Sequence, residues 1–363
     1  MTASTTVRVD LGERSYDIVV GAGILSGLGE AAAGLGMGRR AMLISDSNVM
    51  PLYGAAVRES FSAAGFTVHE AVFPAGEEHK NLSTVSRLYD AMAEAGLDRR
   101  SSVIALGGGV VGDVAGFAAA TFLRGLHYLQ VPTTLLAQVD SSVGGKTGVD
   151  HPRGKNYIGA FHQPRLVGID LATLATLPAR EVRAGLAEVV KYGVIWDAEL
   201  FARIESCLSQ LLALDERALA PIVAECCRIK AEVVSRDERE SGLRGILNFG
   251  HTLGHALESL TGYRTYLHGE AISIGMVFAC RLAERLGMLE PATTARLRAL
   301  LEQTGLPVEM PAIDADALLV LMRGDKKARD GRLNFILPTR IGAVQLVPEV
   351  DEGRVRRTLE DRL

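Results

Sequence analysis

Short apolar runs alternate with stretches of helical periodicity through the first half of the chain. YDIVVG (16–21), AMLISD (41–46), FTVHEAVF (66–73), SVIALGGG (102–109) and HYLQVP (127–132) read as strands, and NLSTVSRLYDAMAEAG (81–96) repeats its apolar positions with a helical period. That alternation predicts an α/β domain with a Rossmann-like, mainly parallel sheet. From about Pro178 the pattern changes to long helical stretches: PAREVRAGLAEVVKYG, ALAPIVAECCRIKAEVVSRDE, GHALESL and AISIGMVFACRLAERLG. A mainly α-helical second domain is expected, closed by a short strand pair at RLNFILP and AVQLVPE with GAV at the turn. The change falls near residues 170–178, so the expected domains are 1–175 and 176–363, and a cleft between two such domains is a usual place for a site.

Composition narrows the function class. With 363 residues, 48% hydrophobic and 23% charged, the chain can bury a sizeable core. Its formal net charge of -4 argues against a nucleic-acid partner, which needs a basic surface. No apolar run approaches the roughly 20 residues of a membrane span, and MTASTTVRVD lacks the marks of a signal peptide. A cytoplasmic enzyme with neither a membrane nor a nucleic-acid partner is the expectation. Cys207, Cys226, Cys227 and Cys280 form no C-x-x-C pair and read as reduced thiols. Only seven of the 39 basic residues are lysines: Lys80, Lys146, Lys155, Lys191, Lys230, Lys326 and Lys327. In a chain that uses Arg for general surface charge, these are candidates for positions needing a compact ammonium.

Gly107, Gly109 and Gly112 satisfy G-x-G-x-x-G directly after one predicted strand and before the helical run VAGFAAATF. Such glycines let the backbone approach a pyrophosphate at a helix N-terminus, although the same pattern also makes a plain strand-to-helix turn. The acidic residue that usually follows about 20 positions later is missing. Asp46, ending AMLISD before Ser47 and Asn48, is placed to take over its ribose contact. VPTTLLAQVDSSVGGKTGVDHPRGKN (131–156) gathers Thr133, Thr134, Asp140, Lys146, Lys155 and Asn156 into one turn-rich segment, which reads as a binding loop. GGKT ends like a P-loop, but Asp140 stands where its first glycine would be, which removes a nucleotide-triphosphatase reading.

In GLAEVVKYG, Glu188 lies among apolar neighbours with Lys191 three residues on, nearly on the same helix face. The pair is either a surface ion pair or part of a metal or substrate site. In HTLGHALE, His251, His255 and Glu258 share one face at i, i+4 and i+7, opposite Leu253 and Leu257. The spacing matches the H-x-x-x-H of zinc proteases, with Thr252 where their glutamate would stand. His268 follows thirteen residues after His255. Two histidines with Glu188 would make the three-ligand set that catalytic zinc uses, and the same donors suit iron(II).

Taken together, SDSNV, PAGEEHK, ALGGGVVGD, RGLHYLQVPTTLLAQVDSSVGGKT, GKN, GLAEVVKYG, SRDERESGLRGILNFGHTLGHALE, LHGEA and GDKK resemble the 3-dehydroquinate synthases over most of the chain. The resemblance implies an N-terminal NAD+-binding domain, a helical C-terminal domain, a site between them and a homodimer. It also implies a divalent metal, zinc or else cobalt, held by Glu188, His251 and His268, with His255 facing the substrate. Spacing alone would make both histidines of H-x-x-x-H ligands; of that pair the resemblance assigns only His251 to the metal. The implied catalytic residues are Asp140, Lys146, Lys191 and His255. The implied substrate contacts are Asn156, Lys230, Arg244, Asn248, Lys326 (or its neighbour Lys327) and Arg124, the last reaching across a dimer. For NAD+ the resemblance implies Asp46, Asn48, Glu77, Lys80, Gly108, Gly109, Val110, Val111, Gly112, Asp113, Thr133, Thr134, Lys146, Lys155, Thr173, Leu174, Ala175 and Thr176. Six of the seven lysines then fall at site positions, counting one of the GDKK pair.

The implied reaction converts a sugar phosphate, 3-deoxy-D-arabino-heptulosonate 7-phosphate, into 3-dehydroquinate and phosphate, a step of the shikimate pathway. It proceeds by transient oxidation, phosphate elimination, re-reduction, ring opening and aldol closure, with NAD+ regenerated. Three alternatives stand beside it: a metal- and NAD+-dependent polyol dehydrogenase, a sister cyclase acting on a substrate without a carboxylate, and a non-catalytic NAD+-binding protein. The lysine set and the retention of Lys230, Arg244 and Asn248 weigh toward a phosphate- and carboxylate-bearing substrate.

Overall fold

The computed structural model describes residues 4–324 and 333–361, so the GDKK lysines Lys326 and Lys327 lie outside the described residues. The chain groups into two units, Met1–Leu177 with Leu219–Arg239, and Pro178–Ala218 with Glu240–Leu363.

The first unit is built on a seven-stranded sheet. Its strands are β1 (Thr5–Val9), β2 (Tyr16–Gly21), β3 (Arg40–Asp46), β4 (Thr67–Phe73), β5 (Ser102–Gly107), β6 (His127–Pro132) and, later in the chain, Leu166–Asp170. A two-stranded hairpin, β7 (Lys146–His151) and β8 (Gly154–Phe161), precedes that last strand, which is therefore β9. The sheet order is β1-β2-β9-β6-β5-β3-β4, antiparallel at β1/β2 and parallel elsewhere. Helices α1 (Leu28–Ala33), α2 (Ala55–Ala63), α3 (Leu82–Glu94) and α4 (Gly109–Thr121) cover its faces.

The apolar runs follow from that coverage. A parallel sheet clad on both faces buries every residue of its inner strands, so those strands read as continuous apolar segments. Along β3, Met42 and Ile44 enter one core with Val85, Leu88, Val111 and Val114, while Ala41 and Leu43 enter the other with Leu28, Val57 and Phe61. The edge strand β4 is only partly covered: Phe73 is buried, Val68, His69 and Ala71 are half-buried, and Thr67, Glu70 and Val72 are exposed. Four strands escape the sequence reading: β1, β7, β8 and β9. The segment expected as a loop folds into a π-helical turn, Ala137–Ser141, followed by the β7/β8 hairpin. Its strands carry few apolar residues. Gly148 and Gly159 pair across it so closely that a Cβ on either would come within 2.5 Å of backbone oxygen.

The second unit is helical, with α5 (Ala179–Ile195), α6 (Ala198–Leu212), α8 (His251–Leu260), α9 (His268–Arg285), α10 (Pro291–Thr304), α11 (Ala315–Gly324) and α12 (Glu352–Glu360). The intervening α7 (Glu216–Arg236) belongs from Leu219 onward to the first unit, a return that the hydropathy pattern does not announce. Strands β10 (Phe335–Arg340) and β11 (Ala343–Val347) pair antiparallel as the pattern predicts, but of the expected GAV turn only Gly342 lies outside the strands. Helix α5 is buried without interruption from Ala184 to Ile195. A helix apolar all round is one wrapped by its neighbours.

Candidate active site

In the first unit the chain runs from β3 outward to β4, and from β5 to the opposite side through β6. The carboxyl ends of β3 and β5 therefore flank a topological switch point, the place where open α/β sheets bind ligands. Asp46 closes β3 and the glycine run closes β5. None of the three fingerprint glycines has a left-handed φ, so their role is close approach. A Cβ on Gly107 would lie 2.5 Å from Val111, and one on Gly112 would lie 2.8 Å from Gln130 Oε1. Gly108, extended, stands at the start of α4, and Tyr128 Oη donates to the Gly112 carbonyl at 2.6 Å. Asp46 Oδ1 accepts from the backbone N–H groups of Asn48 (2.8 Å) and Val49 (2.9 Å), which fixes the turn after β3.

Beside this turn a charged network ties the β7/β8 hairpin to the loop before α3. Lys80 is 5% exposed; its Nζ lies 2.7 Å from Asp113 Oδ2, donates to Asn156 Oδ1 at 2.6 Å and is 3.9 Å from Glu77. Burial works against its charge, but Asp113, Glu77 and Asp150 together hold the ammonium above its ordinary value. Lys155 reaches Glu77 at 3.2 Å. Asn156 has a left-handed φ of 56°, and its N–H donates to Asp150. Thr133 N–H donates to the Gly107 carbonyl, and Thr134 Oγ1 accepts from Ala137 N–H. Thr173 Oγ1 donates to the Asp170 carbonyl, and Thr176 Oγ1 meets Tyr53 Oη at 2.7 Å. Leu174 is buried, and Ala175 lies in the same 3-10 turn, Leu171–Thr176.

Asp140 sits in the π-helical turn, a backbone form enriched at functional sites. Lys230 of α7, 5% exposed, donates to its Oδ1 at 2.7 Å and also to its carbonyl. Lys146 is exposed at the start of β7. Arg124 is exposed in a left-handed run, Leu123 (φ 50°), Arg124 (φ 69°) and Gly125 (φ 124°). Two non-glycine residues in that region cost about 1–3 kcal/mol each.

In the second unit, three helices bring Glu188, His251 and His268 together. Small residues permit the approach: a Cβ on Gly269 would lie 1.9 Å from the Ala184 carbonyl oxygen, and one on Gly275 would lie 2.0 Å from that of Gly250. Glu188 is fully buried. Lys191, 1% exposed, pairs with Glu188 Oε2. Among the described residues Glu188 Oε1 accepts no hydrogen bond, and it faces His251 Nε2 at 3.7 Å and His268 Nε2 at 3.8 Å. Both separations exceed a hydrogen bond. Each imidazole has an acceptor at its other nitrogen: the Phe249 carbonyl is 3.0 Å from His251 Nδ1, and Glu258 Oε2 is 3.1 Å from His268 Nδ1. The two Nε2 atoms thus converge on a buried carboxylate oxygen that has no hydrogen-bond donor among the described residues. That donor set fits a divalent cation.

One ligand atom from each of Glu188, His251 and His268 falls within 4.8 Å of the others, and His255, Glu258 and His268 form a second such group. The His255 ring is 5.2 Å from that of His251 and 6.0 Å from that of His268. Arg244 is 2% exposed, and Asn248 Nδ2 donates to Glu240 Oε1 at 2.6 Å. The sequence reading passed over Glu240, Asp150 and Gln138. Glu240 lies in the charged run RDERES, which reads as solvated surface, and only its left-handed φ of 59° sets it apart.

Two family models match adjoining stretches that together span residues 70–328: "3-dehydroquinate synthase N-terminal" over residues 70–184 and "3-dehydroquinate synthase C-terminal" over 185–328. A 3-dehydroquinate synthase of Geobacter metallireducens is 56% identical over 94% of this chain and 95% of its own. One of Pelotomaculum thermopropionicum is 58% identical over 93% and 91%. Among solved structures, 2-deoxy-scyllo-inosose synthase complexed with carbaglucose-6-phosphate, NAD+ and Co2+ superposes with a TM-score of 0.90 at 30% identity, covering 99% of this chain and 100% of that one. The 2-epi-5-epi-valiolone synthase of Streptomyces hygroscopicus, with NAD+ and Zn2+ bound, gives 0.88 at 32% identity, covering 96% and 97%.

Proposed function

The chain belongs to the 3-dehydroquinate synthase family, and from that membership we infer its reaction. It is a phosphate-eliminating carbon–oxygen lyase that converts 3-deoxy-D-arabino-heptulosonate 7-phosphate into 3-dehydroquinate and phosphate, in the shikimate route to aromatic amino acids. The observation that carries this is identity of 56–58% to 3-dehydroquinate synthases over more than nine-tenths of the chain. The sister cyclases with solved structures stand at 30–32%.

Glu188, His251 and His268 hold the divalent metal in this reading, zinc or cobalt as in the solved relatives. When bound, NAD+ supplies a hydride acceptor that is regenerated in the cycle, and the metal supplies a Lewis acid. Asp46, Asn48, Glu77, Lys80, the Gly108–Asp113 segment, Thr133, Thr134, Lys155 and the Thr173–Thr176 turn form the dinucleotide site. Asp140, oriented by Lys230, relays with Lys146 the proton of the hydroxyl to be oxidised. The substrate's own phosphate accepts the proton at carbon 6, steered by His255 and Asn156. Lys191, Lys230, Arg244 and Asn248 orient phosphate and carboxylate, so most of the rate enhancement comes from positioning and electrostatics. Arg124 serves a neighbouring subunit of a homodimer, which would account for its strained backbone. Among the described residues no helix is long and apolar enough to cross a membrane, and we place the enzyme in the cytoplasm. Incubation with the heptulosonate phosphate should yield phosphate and 3-dehydroquinate in equal amounts. No phosphate release from this substrate, with turnover of a sugar phosphate that lacks the carboxylate, would return the reading to a sister cyclase.

A further inference from the structure

His268 is gripped from both sides of its ring. Nδ1 lies 3.1 Å from Glu258 Oε2, and Nε2 points to Glu188 Oε1 at 3.8 Å. His251 repeats the arrangement with a weaker partner, the neutral Phe249 carbonyl at Nδ1. A neutral imidazole carries one proton, and an acceptor at Nδ1 draws it there and leaves the Nε2 lone pair for a ligand role. Glu258 is itself 5% exposed, so solvent screens its contact with the ring poorly. The stretch Phe249–Glu258 therefore carries one of the two histidines and the orienting acceptors of both.

Glu258 also belongs to the second group, with His255 and His268. There it would act as a ligand and not as an orienting acceptor. Its 3.1 Å separation from Nδ1 is the length of a hydrogen bond with a proton between the two atoms. That proton is incompatible with both groups binding a cation through the facing atoms.

Resting on the metal centre described above, we propose that Glu258 is a positioning residue: its carboxylate fixes His268 as the Nδ1–H tautomer and turns Nε2 toward the metal position beside Glu188. Partners of this kind set metal affinity within about 10- to 100-fold. They act through the ligand, without touching the metal.

The test uses the full chain with 15N-labelled histidine, as wild type, Glu258→Ala and Glu258→Gln. In metal-free protein at alkaline pH, where imidazoles are neutral, His268 should give the Nδ1–H signature in the wild type and lose it in Glu258→Ala. Glu258→Gln keeps an accepting oxygen but drops the charge, so it should retain the tautomer. Zn2+ should bind about 10- to 100-fold more weakly to Glu258→Ala, with Glu258→Gln in between and one metal per chain throughout. An unchanged His268 tautomer in Glu258→Ala overturns the proposal, as does a fall in stoichiometry from two metals to one, which would make Glu258 a ligand. If Glu258→Ala does not fold, Glu258→Gln decides: wild-type affinity in that variant overturns the role of the charge. A wild-type chain that takes up no metal while its tautomer depends on Glu258 overturns the metal centre and leaves the orienting bond standing.

Discussion

Glu188 occupies the middle of the most completely buried stretch of α5, where a carboxylate is expensive to hold unless something compensates its charge. Lys191 provides part of that compensation, and the two imidazoles leave room for a cation to provide the rest. Glu188→Ala should therefore lose its metal on dialysis and should also unfold at lower denaturant, since breaking a buried ion pair costs about 3–5 kcal/mol. Metal analysis and urea titration read the two effects, and unchanged metal content would remove Glu188 from the ligand set. This residue was legible because an acid among Leu186, Ala187, Val189 and Val190 has no bland place to go. Glu258 was legible only as a face-mate of His251. Its contact with His268 depends on how α8 and α9 pack, which no local spacing encodes.

At the scale of elements, helix packing decides where the site side chains arrive. Gly269 follows His268 directly and lies against the Ala184 carbonyl of α5. Gly269→Ala should push α9 away from α5, costing about 1–3 kcal/mol by overpacking and weakening Zn2+ binding because His268 moves with the helix. Wild-type metal affinity in a destabilised Gly269→Ala would show that the contact serves stability alone. In the other unit, His162 follows β8, with Nε2 2.8 Å from the Leu126 carbonyl and its ring stacked near Tyr128. Burial pushes its imidazole below its ordinary value near 6.5. The unfolded chain thus takes up a proton that the folded chain resists, and stability present above about 6.5 is lost as pH falls through the lower folded value. Relative to wild type, His162→Gln should show a shallower loss of unfolding free energy in that acid range. Parallel pH profiles would contradict it. The inner strands were readable for the reason that they are buried on both faces. β1 at the edge of the sheet and the glycine-rich hairpin lack that signature, and β9 is a five-residue run, Leu166–Asp170, that follows Pro164 and shows no alternation.

At the scale of the whole molecule, the switch from alternating to helical patterning near Pro178 marks where the chain leaves the first unit. The return of Leu219–Arg239 is invisible to periodicity. Helix α7 reads like its helical neighbours, and its contacts with the first unit include Lys230 to Asp140 and Cys227 Sγ to the Gln138 carbonyl at 3.4 Å. That return supplies a lysine to the π-helical turn carrying Asp140, so connectivity as well as composition builds the proposed proton relay. The central claim is that one chain oxidises and re-reduces its substrate while expelling phosphate, with no net consumption of NAD+. The most direct measurement is phosphate release from 3-deoxy-D-arabino-heptulosonate 7-phosphate with NAD+ held well below the substrate concentration. The account predicts many phosphates released per NAD+ with no accumulation of NADH. NADH rising in step with substrate oxidation, without phosphate release, would contradict it and identify a dehydrogenase.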